Sequence, residues 1–112
     1  DGSQSYDFIY VEDVARANIC ALNSDIKFGM YNVGTEVQTS IKELCETILK
    51  LKKSNLEVIY KPYTKDDARS LVQNRIGSKV KAEKEINFTY KYNLEQGLQK
   101  LIEWRIKTGL DD

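Results

Sequence analysis

The run VARANICAL (Val14 to Leu22) constrains the fold more than any other feature of the chain. Its apolar side chains Val14, Ala15, Ala17, Ile19, Cys20, Ala21 and Leu22 go almost all the way round a helix, with only Arg16 and Asn18 interrupting. A helix with one apolar stripe lies on a surface, whereas one that is apolar around most of its circumference must be covered on more than one side. A chain of 112 residues is the size of one domain and has few such places. The run therefore predicts a neighbour outside these residues. Asp13 is placed to cap the helix, and Phe8 to Val11, aromatic and β-branched, reads as a strand before it.

Short strands and helices alternate along the rest of the chain. Tyr31 to Val33 reads as a strand ended by Gly34. Ser40 opens a second helix, and Glu43 three residues on completes a capping box ahead of the stripe Ile41, Leu44, Cys45, Ile48 and Leu49. Glu57 to Tyr60 reads as a strand closed by Pro62, the only proline. Lys61 to Asn74 is polar and irregular, the longest expected loop and the kind of segment that carries function. Ser78 caps a short helix to about Glu85. Asn93 and Gln96 open a last helix that turns Leu94, Leu98, Leu101 and Ile102 inward and stops at Gly109. The predicted class is α+β, short strands with about four helices.

Composition excludes several functions. With 41% hydrophobic and 10% aromatic residues the chain can build a core, so disorder is not expected. Its 17 basic residues balance 17 acidic ones, which removes the electrostatic footprint of a nucleic-acid or anionic-membrane binder. The Lys50, Lys52, Lys53 cluster suits a helix C-terminus. There is no long apolar run and no signal-like start, so a cytoplasmic location is the expectation. Cys20 and Cys45 have no second cysteine or histidine nearby and read as reduced, buried thiols rather than metal ligands.

The opening segment DGSQSYDFIYVEDVARA (Asp1 to Ala17) resembles the junction segment of extended short-chain dehydrogenases that act on nucleotide sugars, the NAD-dependent epimerase and dehydratase family. The resemblance continues through MYNVGTEVQTSIKEL (Met30 to Leu44), KDDARS (Lys65 to Ser70) and NLEQGLQKLIEW (Asn93 to Trp104), in that family's order, and so covers nearly the whole chain. It implies the C-terminal, substrate-binding part of a Rossmann-type enzyme like UDP-glucose 4-epimerase.

Two motifs of that family are absent. It binds its dinucleotide on a glycine-rich turn between a strand and a helix. The six glycines here form no such cluster. Its chemistry uses a Tyr-x-x-x-Lys pair on one helix face, and none of the seven tyrosines has a lysine four positions later. The expectation is that NAD and the catalytic pair belong to sequence beyond these residues, and that the chain alone is inactive and binds no cofactor.

Four residues carry the expected substrate site. The resemblance implies that Arg69, in KDDARS, grips a substrate diphosphate through its planar fork of donors; the alternative is a surface arginine paired with Asp66 or Asp67. Asp67 would orient that loop, or stand as a solvated turn carboxylate. Ser40 is a helix cap, and by resemblance its helix start lies near the nucleotide, where free N–H groups would suit a phosphate or ribose oxygen. Tyr6 stands where the family usually has an arginine before the Asp-Phe-x-Tyr-Val strand. It can donate one hydrogen bond or stack on a base but brings no charge, so a second cation must come from elsewhere. Arg75 is a candidate by its proximity to the loop.

The family's Gly-Thr-Gly turn is Gly34-Thr35-Glu36 here, so Glu36 is not expected to need a positive φ. The family's Ala-Asp before the Ser-Lys helix start is replaced by the longer NRIGSK. The expected partners are a nucleotide-diphosphate sugar, the Rossmann domain and further copies of the chain. The expected function is the nucleotide-sugar binding lobe of an epimerase or dehydratase. A sugar-nucleotide reductase or decarboxylase on the same scaffold is one alternative, and a non-catalytic nucleotide-binding or protein-interaction module is another.

Overall fold

The computed structural model describes residues 1–62, 64 and 72–109. Asp67 and Arg69, with Asp66, lie outside the described residues. The elements in chain order are β1 (Ser5–Asp7), α1 (Val11–Leu22), β2 (Gln38–Ser40), α2 (Ile41–Leu51), β3 (Asn74–Arg75), α3 (Val80–Ile86) and α4 (Leu94–Thr108). The sheet order is β2-β1-β3. β1 and β2 are antiparallel with Ser5 opposite Ser40 and Tyr6 opposite Thr39, and β1 and β3 are parallel with Tyr6 opposite Arg75.

Both capping boxes read from the sequence form as expected. Ser40 Oγ accepts from the Glu43 amide at 3.1 Å while the Glu43 carboxylate accepts from the Ser40 amide at 2.7 Å. Asn93 and Gln96 repeat the arrangement at α4, and Gly109 ends that helix at φ 67°. α3 has Lys79 in the cap position, and Ser78 only accepts a 3.4 Å bond from the Val80 amide.

Several expectations give way. The first strand is Ser5–Asp7, and α1 begins at Val11, so Phe8 to Tyr10 is a connection. Its apolar residues serve packing rather than strand pairing, with Ile9 lying against the core. Tyr31 to Val33 and Glu57 to Tyr60 form no strand among the described residues. Tyr31 and Val33 pack on the same core. Asn74, expected in the loop, pairs with Ser5 in β3.

Asp13 is not the cap of α1. Tyr10 takes the cap position with extended backbone, and Asp13 sits in the first turn, fully buried. Its carboxylate accepts from the amides of Lys91 at 3.0 Å and Tyr92 at 3.0 Å, and pairs with Arg16 at 2.6 Å. Arg16 also donates to the Thr89 carbonyl and lies over the Phe88 ring. A buried carboxylate is tolerated only when it is paired and hydrogen-bonded, and this one ties α1 to the segment leading into α4.

The fully buried apolar core is small: Ala17, Ala82, Ile86 and Phe88, where two alanines let α1 and α3 approach closely. Other faces are uncovered. On and after α1, Ile19 is 56% exposed, Leu22 83%, Phe28 88% and Met30 81%. The chain exposes 8690 Å², against roughly 6300 Å² for a compact protein of this mass. Its radius of gyration is 16.7 Å, against about 13 Å for a compact domain of this length. The apolar girth of VARANICAL is thus only partly covered here. Cys20 and Cys45 are free and half-buried, and no metal-binding cluster occurs among the described residues. No described helix is long and apolar enough to cross a membrane.

Candidate functional site

A cavity of about 510 Å³ opens where β1, the segment before the 34–36 turn and the end of β3 meet. Its wall includes Tyr6, Asp7, Asn32, Gly34, Arg75 and Gly77. Parallel pairing sets Tyr6 beside Arg75, and partnered residues on adjacent strands project to one face of the sheet. The structure therefore brings together the two positions that sequence linked only loosely. Tyr6 Oη donates to the Val72 carbonyl at 2.9 Å, so the phenol is anchored, and its ring meets Phe8 edge-on at 6.1 Å.

The far wall is held by Asp7. Its carboxylate accepts from the Thr35 amide at 2.9 Å, the Thr35 hydroxyl at 2.6 Å and the Glu36 amide at 2.9 Å. A Cβ on Gly34 would run into Asp7 Oδ2, which is why glycine stands there. The turn places Glu36 at φ 61°, contrary to expectation. Its side chain then accepts from the Lys79 amide at 3.2 Å, joining the turn to the start of α3. A left-handed non-glycine residue persists only where surrounding bonds over-determine it, and Asp7 and Lys79 supply them.

Ser40 is engaged throughout by its own helix. Its hydroxyl accepts from the Glu43 amide, and the next two amides of α2, Ile41 and Lys42, donate to the carbonyls of Gln4 at 2.9 Å and Gly2 at 3.0 Å. The free N–H groups expected there for a phosphate are taken within the chain. The Ser40 amide, and then its hydroxyl, hold the Glu43 carboxyl below its ordinary value. Sequence reasoning missed Asn32 and Gly77 as lining residues. The only available signal was Asn32's place within the MYNVGT motif.

A second cavity, of about 490 Å³, lies between the end of α2 and α4, lined by Leu51, Tyr92, Gln96 and Lys100 among others. There Lys100 stands over the rings of Tyr92, at 5.1 Å, and Tyr10, at 6.0 Å. Coulombic pull from Glu12 is the largest of the causes that raise the Lys100 pKa. This cluster is the competing surface for a ligand.

Solved structures that share this fold are Rossmann-type nucleotide-sugar enzymes. UDP-glucose 4-epimerase of Thermotoga maritima, determined with UDP-glucose, superposes with a TM-score of 0.85 at 31% identity over 96% of this chain and 33% of that one. The Bordetella bronchiseptica enzyme WbmF, determined with NAD+ and UDP, superposes with a TM-score of 0.77 at 34% identity over 97% of this chain and 30% of that one. A putative UDP-glucose 4-epimerase of Methanocaldococcus jannaschii is 34% identical over 93% of this chain and 32% of its own length. The model of the NAD dependent epimerase/dehydratase family matches residues 1–34. The chain belongs to that family, and spans about a third of the length of the relatives it matches.

The described residues do not fit the family's dinucleotide. β1 reaches α1 through Phe8, Ile9 and Tyr10, β2 runs directly into α2, and β3 reaches α3 through Ile76, Gly77, Ser78 and Lys79, so of the three described strand-to-helix connections only the last holds a glycine, and none has the spaced set that lets a backbone approach a pyrophosphate.

Proposed function

We propose that the chain is the C-terminal, substrate-side portion of an NAD-dependent enzyme acting on a nucleotide-diphosphate sugar, with epimerase as the leading activity. The cofactor and the acid–base pair then belong to a Rossmann portion that covers the exposed side of α1. The observation that carries the reading is the cavity at Tyr6 and Arg75, a volume within the usual range for small-ligand sites and walled by an arginine and polar groups. Arg69 and Asp67 are proposed to complete the diphosphate grip from KDDARS. Ser40 is proposed to act only through the helix it caps, and Tyr6 as an uncharged wall of the site. The working location proposed is the cytoplasm, and further copies of the enzyme are proposed partners.

A decarboxylase is the second reading. It is favoured by a UDP-N-acetyl-alpha-D-glucosaminuronate decarboxylase of Bacillus cytotoxicus that is 29% identical over 106 residues. Both readings share the lobe and differ in chemistry supplied from outside it.

The test uses the full-length protein. UDP-sugars with and without a C6 carboxylate are titrated calorimetrically and then incubated with NAD, and the products are analysed. Micromolar binding is expected, with inversion at a sugar carbon for the epimerase and loss of carbon dioxide for the decarboxylase. Arg69→Ala is expected to weaken sugar-nucleotide binding by about tenfold or more while NAD affinity holds. No affinity for any UDP-sugar would contradict both readings.

A further inference from the structure

We propose that Glu36 is a positioning residue of the cavity: its carboxylate clasps the Lys79 amide and holds the connection 76–79 in place before a ligand arrives. The proposal rests on the nucleotide-sugar reading above. Glu36 has φ 61°. Lys53 and Asn87 are the other non-glycine residues with positive φ among the described residues, and both stand at helix ends, where a left-handed residue is a common stop. Glu36 ends no helix. A left-handed residue away from such a stop is costly, and residues of this kind concentrate where a fixed conformation serves a site.

The clasp completes a ring of bonds around the cavity. Asp7 on β1 accepts from the Glu36 amide at 2.9 Å, and Glu36 Oε1 accepts from the Lys79 amide at 3.2 Å. From Lys79 the chain runs back through Gly77 to Arg75, whose pairing with Tyr6 returns to β1. Gly34, Ile76 and Gly77 line the cavity and Glu36 does not, so Glu36 acts through the wall rather than on a ligand. The wall is closely set: a Cβ on Gly77 would stand 3.3 Å from Cγ of Asn32, another lining residue. A shift of the connection therefore changes the space directly. The Lys79 ammonium is engaged elsewhere, paired with Glu83 at 2.9 Å and standing over the Tyr90 ring. Glu36 thus grips backbone, and the grip needs an acceptor oxygen rather than a charge. Farther along, Lys81 donates to the Met30 carbonyl at 3.1 Å and Tyr31 to the Glu85 carboxylate at 2.8 Å, so α3 stays tied to the 30–36 segment when the clasp is lost. What comes loose is the connection. A wall held before binding spares the free energy that ordering it on binding would consume.

The test compares the full-length protein with its Glu36→Gly and Glu36→Gln variants, with UDP as the probe. Glu36→Gly removes the clasp but also relieves the left-handed backbone, so its unfolding midpoint is expected to hold. Its Lys79 amide should exchange faster, and UDP should bind about fivefold more weakly, the scale of one hydrogen bond, with the loss in a faster dissociation rate. Glu36→Gln keeps the acceptor and should stay within about twofold of wild type in exchange and in binding. Wild-type affinity and dissociation of UDP in Glu36→Gly would overturn the proposal, leaving Glu36 a structural tie and the nucleotide-sugar reading intact. Equal losses in Glu36→Gly and Glu36→Gln would also overturn it, since the charge and not the clasp would then be at work. So would a loss of UDP accompanied by a lowered midpoint in Glu36→Gly, the mark of a general change of fold. Absence of UDP binding by the wild-type protein would sink the functional reading itself. The Lys79 amide decides the clasp in either case, because unchanged exchange there in Glu36→Gly refutes it whatever UDP does.

Discussion

Asp7 and Thr35 are joined by three hydrogen bonds, two from the Thr35 amide at 3.0 and 2.9 Å and one from its hydroxyl at 2.6 Å. They fasten the 34–36 turn to β1 and so shape one wall of the cavity. Because Asp7 Oδ2 occupies the space where a Gly34 side chain would begin, Gly34→Ala must push the turn off the strand. We expect a loss of about 2 kcal/mol or more, the scale of an overpacked contact with a disturbed hydrogen-bond network. Chemical denaturation of the full-length variant checks it, and an unchanged midpoint would show that the turn shifts freely.

Asp13 should make the fold sensitive to acid. Burial alone would raise its pKa, but the Arg16 hydrogen bond and the amides of Tyr92 and Lys91 outweigh burial and hold it below the ordinary 3.8. A depressed folded-state value means that its contribution is fully present above the unfolded value and is lost as the pH falls below about 3.8 and through the folded one. Asp13→Asn removes the charge that Arg16 faces and turns an acceptor into a donor against two amides. It should cost about 2–3 kcal/mol at neutral pH, with a flatter dependence of stability on pH below 4. Urea midpoints measured from pH 3 to 7 decide it, and parallel profiles for the two proteins would be the wrong outcome for this account.

Ser40 gives a stability effect without a binding effect. Ser40→Ala removes the acceptor for the Glu43 amide and should cost about 1 kcal/mol. Its affinity for UDP should stay within about twofold, because the surrounding amides are already bonded inside the chain. A large loss of UDP affinity at unchanged stability would put the nucleotide at the start of α2 after all.

The uncovered side of α1 should be adhesive when nothing packs on it. Ile19 and Leu22 are exposed on a chain whose surface exceeds that of a compact protein of its mass. The 112-residue segment expressed by itself is expected to sediment as a dimer or larger species at micromolar concentration, and Ile19→Asp with Leu22→Asp to shift it toward monomer. A monomer whose 11–22 amides resist exchange would mean that the helix needs no outside neighbour.

Features that depend on neighbours within one turn of helix were legible in the sequence. The Ser40–Glu43 and Asn93–Gln96 boxes and the Gly109 stop need only residues three or four apart. The apolar girth of α1 was legible too, because composition around a helix is local. Strands were not. β1 is set by pairing with residues more than thirty positions away in β2 and nearly seventy away in β3, while the aromatic run Phe8 to Tyr10 that mimics a strand is a packing segment. Asp13 deceived for the same reason: a carboxylate ahead of an apolar run signals a cap, but distant amides at Lys91 and Tyr92 claim it. At Glu36 the positive φ follows from the grip of Asp7 on the turn, which no property of Glu36 announces. Arg75 became a lining residue of the site only through its register with Tyr6.

Hydrogen exchange of the full-length protein with and without UDP tests the central claim most directly. If the cavity at Tyr6 and Arg75 receives the nucleotide, saturating UDP slows exchange of the amides at 32–34 and 75–77 and leaves those at 92–100 unchanged. Protection confined instead to the groove of Leu51, Tyr92 and Lys100, with 32–34 and 75–77 unaffected, would contradict the account.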